Sequence, residues 1–213
     1  AVGRGSGCGP AAFLTLLADL LRKTSAAVMA TSSRPAAVVF DLDGCVWEPE
    51  MYELWGGGAP FTDNGDGTLK DKAGRQVYLL GATREALRDL HCSDEWKGTV
   101  VAIASRTDEP SWAEACLQQF MIADGMGGTF PMKQAFHVEE IHKGCKTGHL
   151  RSISQRTGIE LSKMLFFDNE RGNCDDVAPI GVTCCYCPNG VTAKAWRKAL
   201  ENFPAPTGKI IVA

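Results

Sequence analysis

Short apolar runs recur along this chain, each closed by polar residues and followed by a longer stretch with helical spacing. Ala36-Ala37-Val38-Val39-Phe40, Thr99 to Ala104, Met164-Leu165-Phe166-Phe167 and Gly181 to Tyr186 are those runs. Continuous β-branched and aromatic runs of this length read as strands buried on both faces. Between them, Thr83 is placed to cap a helix that carries Ala86, Leu87 and Leu90 on one face. Pro110 suits the first turn of a helix running to Met121, and Lys146 to Thr157 reads as a helix with Gly158 at its C-terminal cap. Thr192 to Asn202 closes the series. Strands separated by helices imply right-handed crossovers, hence an α/β fold: a Rossmann-like, doubly wound, mostly parallel sheet with helices on both faces.

The pattern breaks in two places. Cys45 to Pro60 is irregular and rich in Gly and Trp, and Thr68-Leu69-Lys70 and Gln76 to Leu80 then flank Asp71 to Arg75 as a hairpin with Gly74 in its turn. This insertion, 45–80, has room for a flap and a hairpin but for no large cap domain. The Gly-rich stretch from Gly125 to His137 carries an expected short strand near Phe136. The domain is therefore expected over 34–204, with 205–213 as a tail. Residues 1–33 are Ala/Ser/Thr-rich with one acidic residue, Asp19, and read as a leader outside the fold. Basic, hydroxyl-rich, acid-poor composition is that of an organelle targeting segment; the alternatives are a disordered leader or an artefact, with the working protein beginning at Met29.

Composition narrows the class. The 213 residues fit one domain, and a net charge of -3 without a long basic block argues against nucleic acid as a partner. No stretch approaches the roughly 20 apolar residues that span a bilayer, so no membrane partner is expected. Nine cysteines, an odd number lying mostly in apolar runs, suit buried thiols in a reducing, cytoplasmic setting better than a disulfide framework. Oligomeric state is not legible.

Candidate chemistry gathers at strand ends. Asp41 and Asp43 follow the first strand; two residues apart, they face the same way while Leu42 turns into the core. Paired carboxylates repel unless a cation compensates them, and Mg²⁺, held by few protein carboxylates and by phosphate oxygens, is the economical one. Ser105 and Arg106 end the second strand, and Asp168 and Asn169 a later one, so three strands aim polar groups at the crevice where α/β sheets bind ligands. Plainer readings exist for each: Asp43-Gly44 as a turn pair, Ser105 as a helix cap, Arg106 as an ion-pair partner, Lys146 as a solvated lysine. Cys184, Cys185 and Cys187 lack zinc spacing, and His91, His137, His142 and His149 show no ligand pattern. Trp47 and Trp55 fall just after the first strand and are expected to form an aromatic flap over the site entrance.

Val38-Val39-Phe40-Asp41-Leu42-Asp43-Gly44, Ile103-Ala104-Ser105-Arg106-Thr107, Lys146 and Phe166-Phe167-Asp168-Asn169 stand in the order of the four motifs of the haloacid dehalogenase-like (HAD-like) phosphatase superfamily. The closer resemblance, over about residues 35 to 203, is to its magnesium-dependent phosphatase-1 branch, through Trp47, the Glu140-to-Lys146 spacing, Arg156-Thr157-Gly158 and Gly181-Val182-Thr183. The resemblance implies a Mg²⁺-dependent phosphatase acting on a phosphate monoester, either a phosphoprotein of the phosphotyrosine type or a sugar phosphate. It casts Asp41 as nucleophile forming an aspartyl phosphate, Asp43 as general acid and base, and Ser105 and Lys146 on the phosphoryl oxygens; beside it, Arg106 reads equally as a substrate contact or an ion-pair partner, and Trp47 is expected to face substrate as part of the flap. The resemblance puts the metal on Asp41, Asp43 through its carbonyl, and the motif-four pair. There the branch typically carries two aspartates and this chain carries Asp168-Asn169; Asn169 is expected as the direct ligand and Asp168 as its support. Cys45 replaces the usual Thr, Ser or Val. The rival readings are a phosphotransferase and a silent phospho-ligand-binding module.

Overall fold

Residues 34–213 are those the computed structural model describes; the expectations for the leader fall outside them. Strand β1, Ala37–Phe40, is buried at every position, as its unbroken apolar run requires. Then come β2 (Trp47–Glu48), β3 (Thr62–Asp63), β4 (Leu69–Lys70), β5 (Gln76–Leu79), α1 (Thr83–Cys92), β6 (Val100–Ser105) and α2 (Pro110–Gln119). A hairpin, β7 (Met121–Ala123) and β8 (Thr129–Pro131), precedes β9 (Val138–Ile141) and α3 (Lys146–Thr157). The rest is β10 (Met164–Asp168), α4 (Arg171–Val177), β11 (Thr183–Tyr186), α5 (Ala193–Glu201) and β12 (Ile210–Val212).

The main sheet has the order β12-β11-β10-β1-β6-β9, and every pairing in it is parallel. From β1 the chain moves outward through β6 and β9, then returns to β10 on the other side of β1. The order thus reverses at β1, where doubly wound sheets open a crevice at the strands' carboxyl ends. Alternation along the strands splits the core in two. Val38, Phe40, Ile103, Phe167 and Cys185 pack toward α1, α2 and α5, whereas Val39, Ala102, Phe166 and Cys184 pack on Leu150 and Ile153 of α3 and on α4. Cys184 and Cys185 face opposite ways, as expected. Helix α3 has the predicted bounds, because Gly158 takes the left-handed conformation (φ 72°) that stops it.

Four expectations are corrected. The strand near Phe136 lies at Val138–Ile141 and pairs with β6, burying Glu140 at an edge where polar residues hide its pattern. The tail holds β12, which pairs with β11 and carries Ile211 into the core. Thr83 is the first helical residue, not the cap: its Oγ1 reaches the Val46 carbonyl at 3.4 Å. The helix expected to reach Met121 stops at Gln119, because Met121 starts the β7–β8 hairpin. The insertion forms a four-stranded antiparallel sheet, β2-β5-β4-β3. Asp71 ties its hairpin down, accepting from Ala73 N (2.9 Å) and Arg75 N (2.8 Å), and from Gly58 N at 3.1 Å.

Candidate active site

Asp41 continues β1 by one hydrogen bond, its N–H donating to the Phe167 carbonyl at 3.0 Å. The chain then turns sharply: the Leu42 carbonyl accepts from the N–H groups of Cys45 (3.2 Å), Val46 (2.7 Å) and Trp47 (3.3 Å). Gly44 makes that turn at φ 69°, and a Cβ there would fall 2.3 Å from Asn169 Nδ2. Only glycine satisfies both demands. The turn holds Asp43 beside Asp41 at the mouth of the crevice, and the buried Trp47 donates its indole N–H to Asp43 Oδ1 at 2.7 Å.

Lys146, the first residue of α3, reaches under the sheet's carboxyl edge. Its ammonium lies 2.5 Å from Asp41 Oδ1 and 3.2 Å from Asp168 Oδ2, and donates to the Ala104 carbonyl at 2.6 Å. One cation thereby joins the ends of β1, β6 and β10. Asp168 is fully buried; Oδ1 accepts from Glu170 N at 2.7 Å, and Asn173 Nδ2 donates to both oxygens at 3.1 Å. Asn173 in turn accepts from Arg106 at 2.9 Å. Ser105 Oγ, buried, accepts from Thr107 N at 3.4 Å.

Burial dominates the electrostatics. It pushes the Asp41 carboxyl up to about 7 against the Lys146 ammonium, with Asp168 adding to the rise. Burial likewise raises Asp43, which the Trp47 hydrogen bond opposes. Burial alone would lower Lys146, but Asp41 and Asp168 outweigh it and hold it above the usual lysine range. Two carboxylates sharing one ammonium leave the centre short of positive charge, which is the condition a divalent cation meets.

A cleft of about 190 Å³ opens above this centre, lined by Asp41, Asp43, Ser105, Arg106 and Lys146 of the predicted set. Trp47 is a correction: it is fully buried against Phe120, behind Asp43 rather than over the entrance. Trp55 is 87 % exposed, outside the residues that line the cleft. The aromatic side chain at the mouth is Tyr52, joined there by Glu50, Thr107, Asp108, Glu170 and Asn173. Sequence reasoning passes over these because the irregular insertion gives no periodicity to orient them; only the nearness of Thr107, Glu170 and Asn173 to motif residues hints at them.

Among the described residues no three His, Cys, Asp or Glu side chains converge as a metal cluster. The chain does fit Mg²⁺ with a mixed set. Asn169 Oδ1 is buried beside the Asp41–Asp43 turn without a hydrogen-bond partner among the described residues, whereas both Asp168 oxygens are already occupied. An amide oxygen, a carboxylate and a main-chain carbonyl, completed by water and phosphate, suit this hard ion.

Comparison with known proteins agrees with this geometry. The Acid Phosphatase family model matches residues 33–205. Human magnesium-dependent phosphatase 1 is 35% identical over 177 residues, covering 83% of this chain and 92% of that protein. A HAD-like hydrolase superfamily protein of Schizosaccharomyces pombe is 30% identical over 154 residues, 70% of this chain and 83% of its own. Among solved structures, the N-terminal part of a Bacteroides fragilis protein containing a phosphatase domain, complexed with Mg, superposes with a TM-score of 0.53 at 18% identity, over 86% of this chain and 43% of that one. A putative phosphatase from Clostridium difficile gives a TM-score of 0.52 at 12% identity, over 85% of this chain and 95% of that one. These two show the shared fold. The chain belongs to the acid phosphatase family of HAD-like hydrolases, in the magnesium-dependent phosphatase branch.

Proposed function

We propose that this Mg²⁺-dependent phosphatase hydrolyses phosphate monoesters through a phosphoryl group carried transiently on Asp41. The observation that supports it most is Lys146 bridging Asp41 and Asp168 beneath an open cleft. Asp41 attacks phosphorus, and the bond to the ester oxygen breaks as Asp43 hands that oxygen its proton. Burial raises the Asp43 carboxyl and so favours its protonated form, and the Trp47 indole N–H fixes its orientation. Asp43 then takes a proton from the water that opens the acyl phosphate. Ser105 Oγ and the N–H groups of the turn after it would receive the phosphoryl oxygens, and Lys146 balances their charge. Asp41, the Asp43 carbonyl and Asn169 would hold Mg²⁺, which would supply charge neutralisation between the nucleophile and the phosphate.

The insertion leaves the cleft uncovered, which supports phosphate on a bulky carrier: a phosphotyrosine-type side chain or a sugar phosphate. Tyr52 at the mouth offers a stacking face to either. The test is turnover of phosphoamino acids, phosphopeptides and sugar phosphates with Mg²⁺, beside p-nitrophenyl phosphate as a generic ester. Activity that survives EDTA would overturn the metal scheme. A hydroxylamine-labile phosphoenzyme in an Asp41→Asn variant would overturn the nucleophile.

A further inference from the structure

The Mg²⁺ position just described has one carboxylate fewer among its ligands than an aspartate at 169 would give it, and the cleft wall beside it holds a carboxylate the mechanism does not use. Glu50 comes from the insertion, at the head of a short 3-10 turn, Met51–Leu54. A reciprocal cap fixes it: the Glu50 side chain accepts from the Glu53 N–H, while the Glu50 N–H donates to Glu53 Oε2 at 3.0 Å. So held, Glu50 Oε1 lies 3.3 Å from the point where a Cβ on Gly44 would stand, and the Asn169 amide lies 2.3 Å from the same point. Gly44 is thus flanked by the neutral motif-four side chain and by an anion from a different part of the chain.

Charge on this wall is one-sided. Asp43, Glu50 and Glu170 line it, and the two cations of the cleft are engaged elsewhere, Lys146 with Asp41 and Asp168, Arg106 with the Asn173 amide. Asp108, across the mouth, has its own partner in Lys143 at 3.0 Å.

Resting on the Mg²⁺ assignment above, we propose that Glu50 is a positioning and charge-balancing residue of the metal site, supplying from outside the direct ligands the negative charge that Asn169 lacks. No direct Glu50–metal bond is implied; the carboxylate acts through space and through the ion's water shell, as outer partners of metal sites do. Its reserve of charge would let the chain keep a neutral amide at the ion while retaining affinity, since ligand charge sets divalent-ion binding.

The experiment is calorimetric titration of the full chain with Mg²⁺ alone, with no substrate and no turnover. Glu50→Gln keeps the acceptor that caps the 3-10 turn, and a melting curve in metal-free buffer checks that the fold is unchanged. The expected result is an increase in Kd of about tenfold for Glu50→Gln, with a smaller change for Glu170→Gln. Adding Asn169→Asp to Glu50→Gln should restore binding, and Asn169→Asp should strengthen binding less when Glu50 is present than when it is gone. A Glu50→Gln variant that titrates like the parent, a larger effect from Glu170→Gln, or an Asn169→Asp gain independent of residue 50 would each overturn the proposal. A parent chain that binds no Mg²⁺ would instead overturn the assignment on which it rests.

Discussion

The indole N–H of Trp47 reaches Asp43 Oδ1 at 2.7 Å from a ring with no solvent exposure. In the mechanism proposed above, this pair would make a core residue part of the proton-transfer apparatus: the ring is locked by packing, so the carboxyl it holds has one orientation. Trp47→Phe keeps an aromatic ring in the core, at the cost of a small cavity, and removes the donor. Its turnover of an alkyl phosphate, whose leaving oxygen needs a proton, should fall by about 10²-fold, within the range general acid catalysis contributes. Turnover of p-nitrophenyl phosphate, whose leaving group departs unprotonated, should fall far less. Equal losses on the two esters would mean that the bond only stabilises the loop.

Lys146 ties three strand ends together, and its removal should be felt in the fold as well as in the rate. Lys146→Met leaves Asp41 and Asp168 buried without their cation. Breaking a buried ion pair from one side costs about 3–5 kcal/mol, so the denaturant midpoint should drop clearly. Asp168→Asn added to Lys146→Met should recover part of that loss, because it removes one of the stranded charges. A double variant no more stable than Lys146→Met would show that the loss comes from packing of the lysine stem instead.

Much of this site could be read from residues alone, and what escaped has a physical cause. Asp41, Ser105 and Asp168 are legible because unbroken apolar strands fix where each strand ends, and Lys146 is legible through its place between the second and fourth motifs. Residues brought in by long-range packing are not. Trp47 reads as a flap because nothing local says that its ring turns inward onto Phe120. Strand β9 is hidden in the sequence because its buried Glu140 breaks the apolar pattern, its charge being met by Ser152 at 2.7 Å and Arg156 at 2.8 Å from two turns of α3. Glu50 and Tyr52 lie in a loop whose path depends on the β2–β5 pairing, and β12 is three residues long.

His149, one turn after Lys146, is buried with neither ring nitrogen hydrogen-bonded among the described residues. Burial, then the neighbouring His142 and Lys146, lower it from 6.5 to about 4, with Glu140 opposing. Between those values the unfolded chain takes up the proton and the folded one does not, so stability falls as pH drops from 6.5 toward 4. His149→Phe removes this term while filling the space. The variant's melting temperature should gain on the parent's near pH 5 and gain little near pH 7.5, with Glu140 and His142 titrating alike in both proteins. A difference that does not change with pH would show that His149 carries no such linkage.

The motif-four pair separates by what each side chain already holds. Asp168 engages both oxygens with Lys146, Asn173 and the Glu170 N–H, whereas Asn169 Oδ1 has no partner among the described residues. A group whose lone pairs are engaged orients its neighbours; a buried oxygen left free is available to an ion. Asn169→Ala should therefore raise the Mg²⁺ concentration needed for half-maximal rate by about tenfold or more, as losing an aligned neighbour of a metal site does and losing a ligand does more strongly. Asp168→Asn should leave that concentration within about twofold of the parent and lower the saturated rate instead, because Lys146 loses one of its three partners and its ammonium is held less firmly in place. The measurement is a Mg²⁺ titration of rate for parent and both variants. If Asp168→Asn moves the half-maximal concentration and Asn169→Ala does not, Asp168 is the ligand and the free amide oxygen has another purpose.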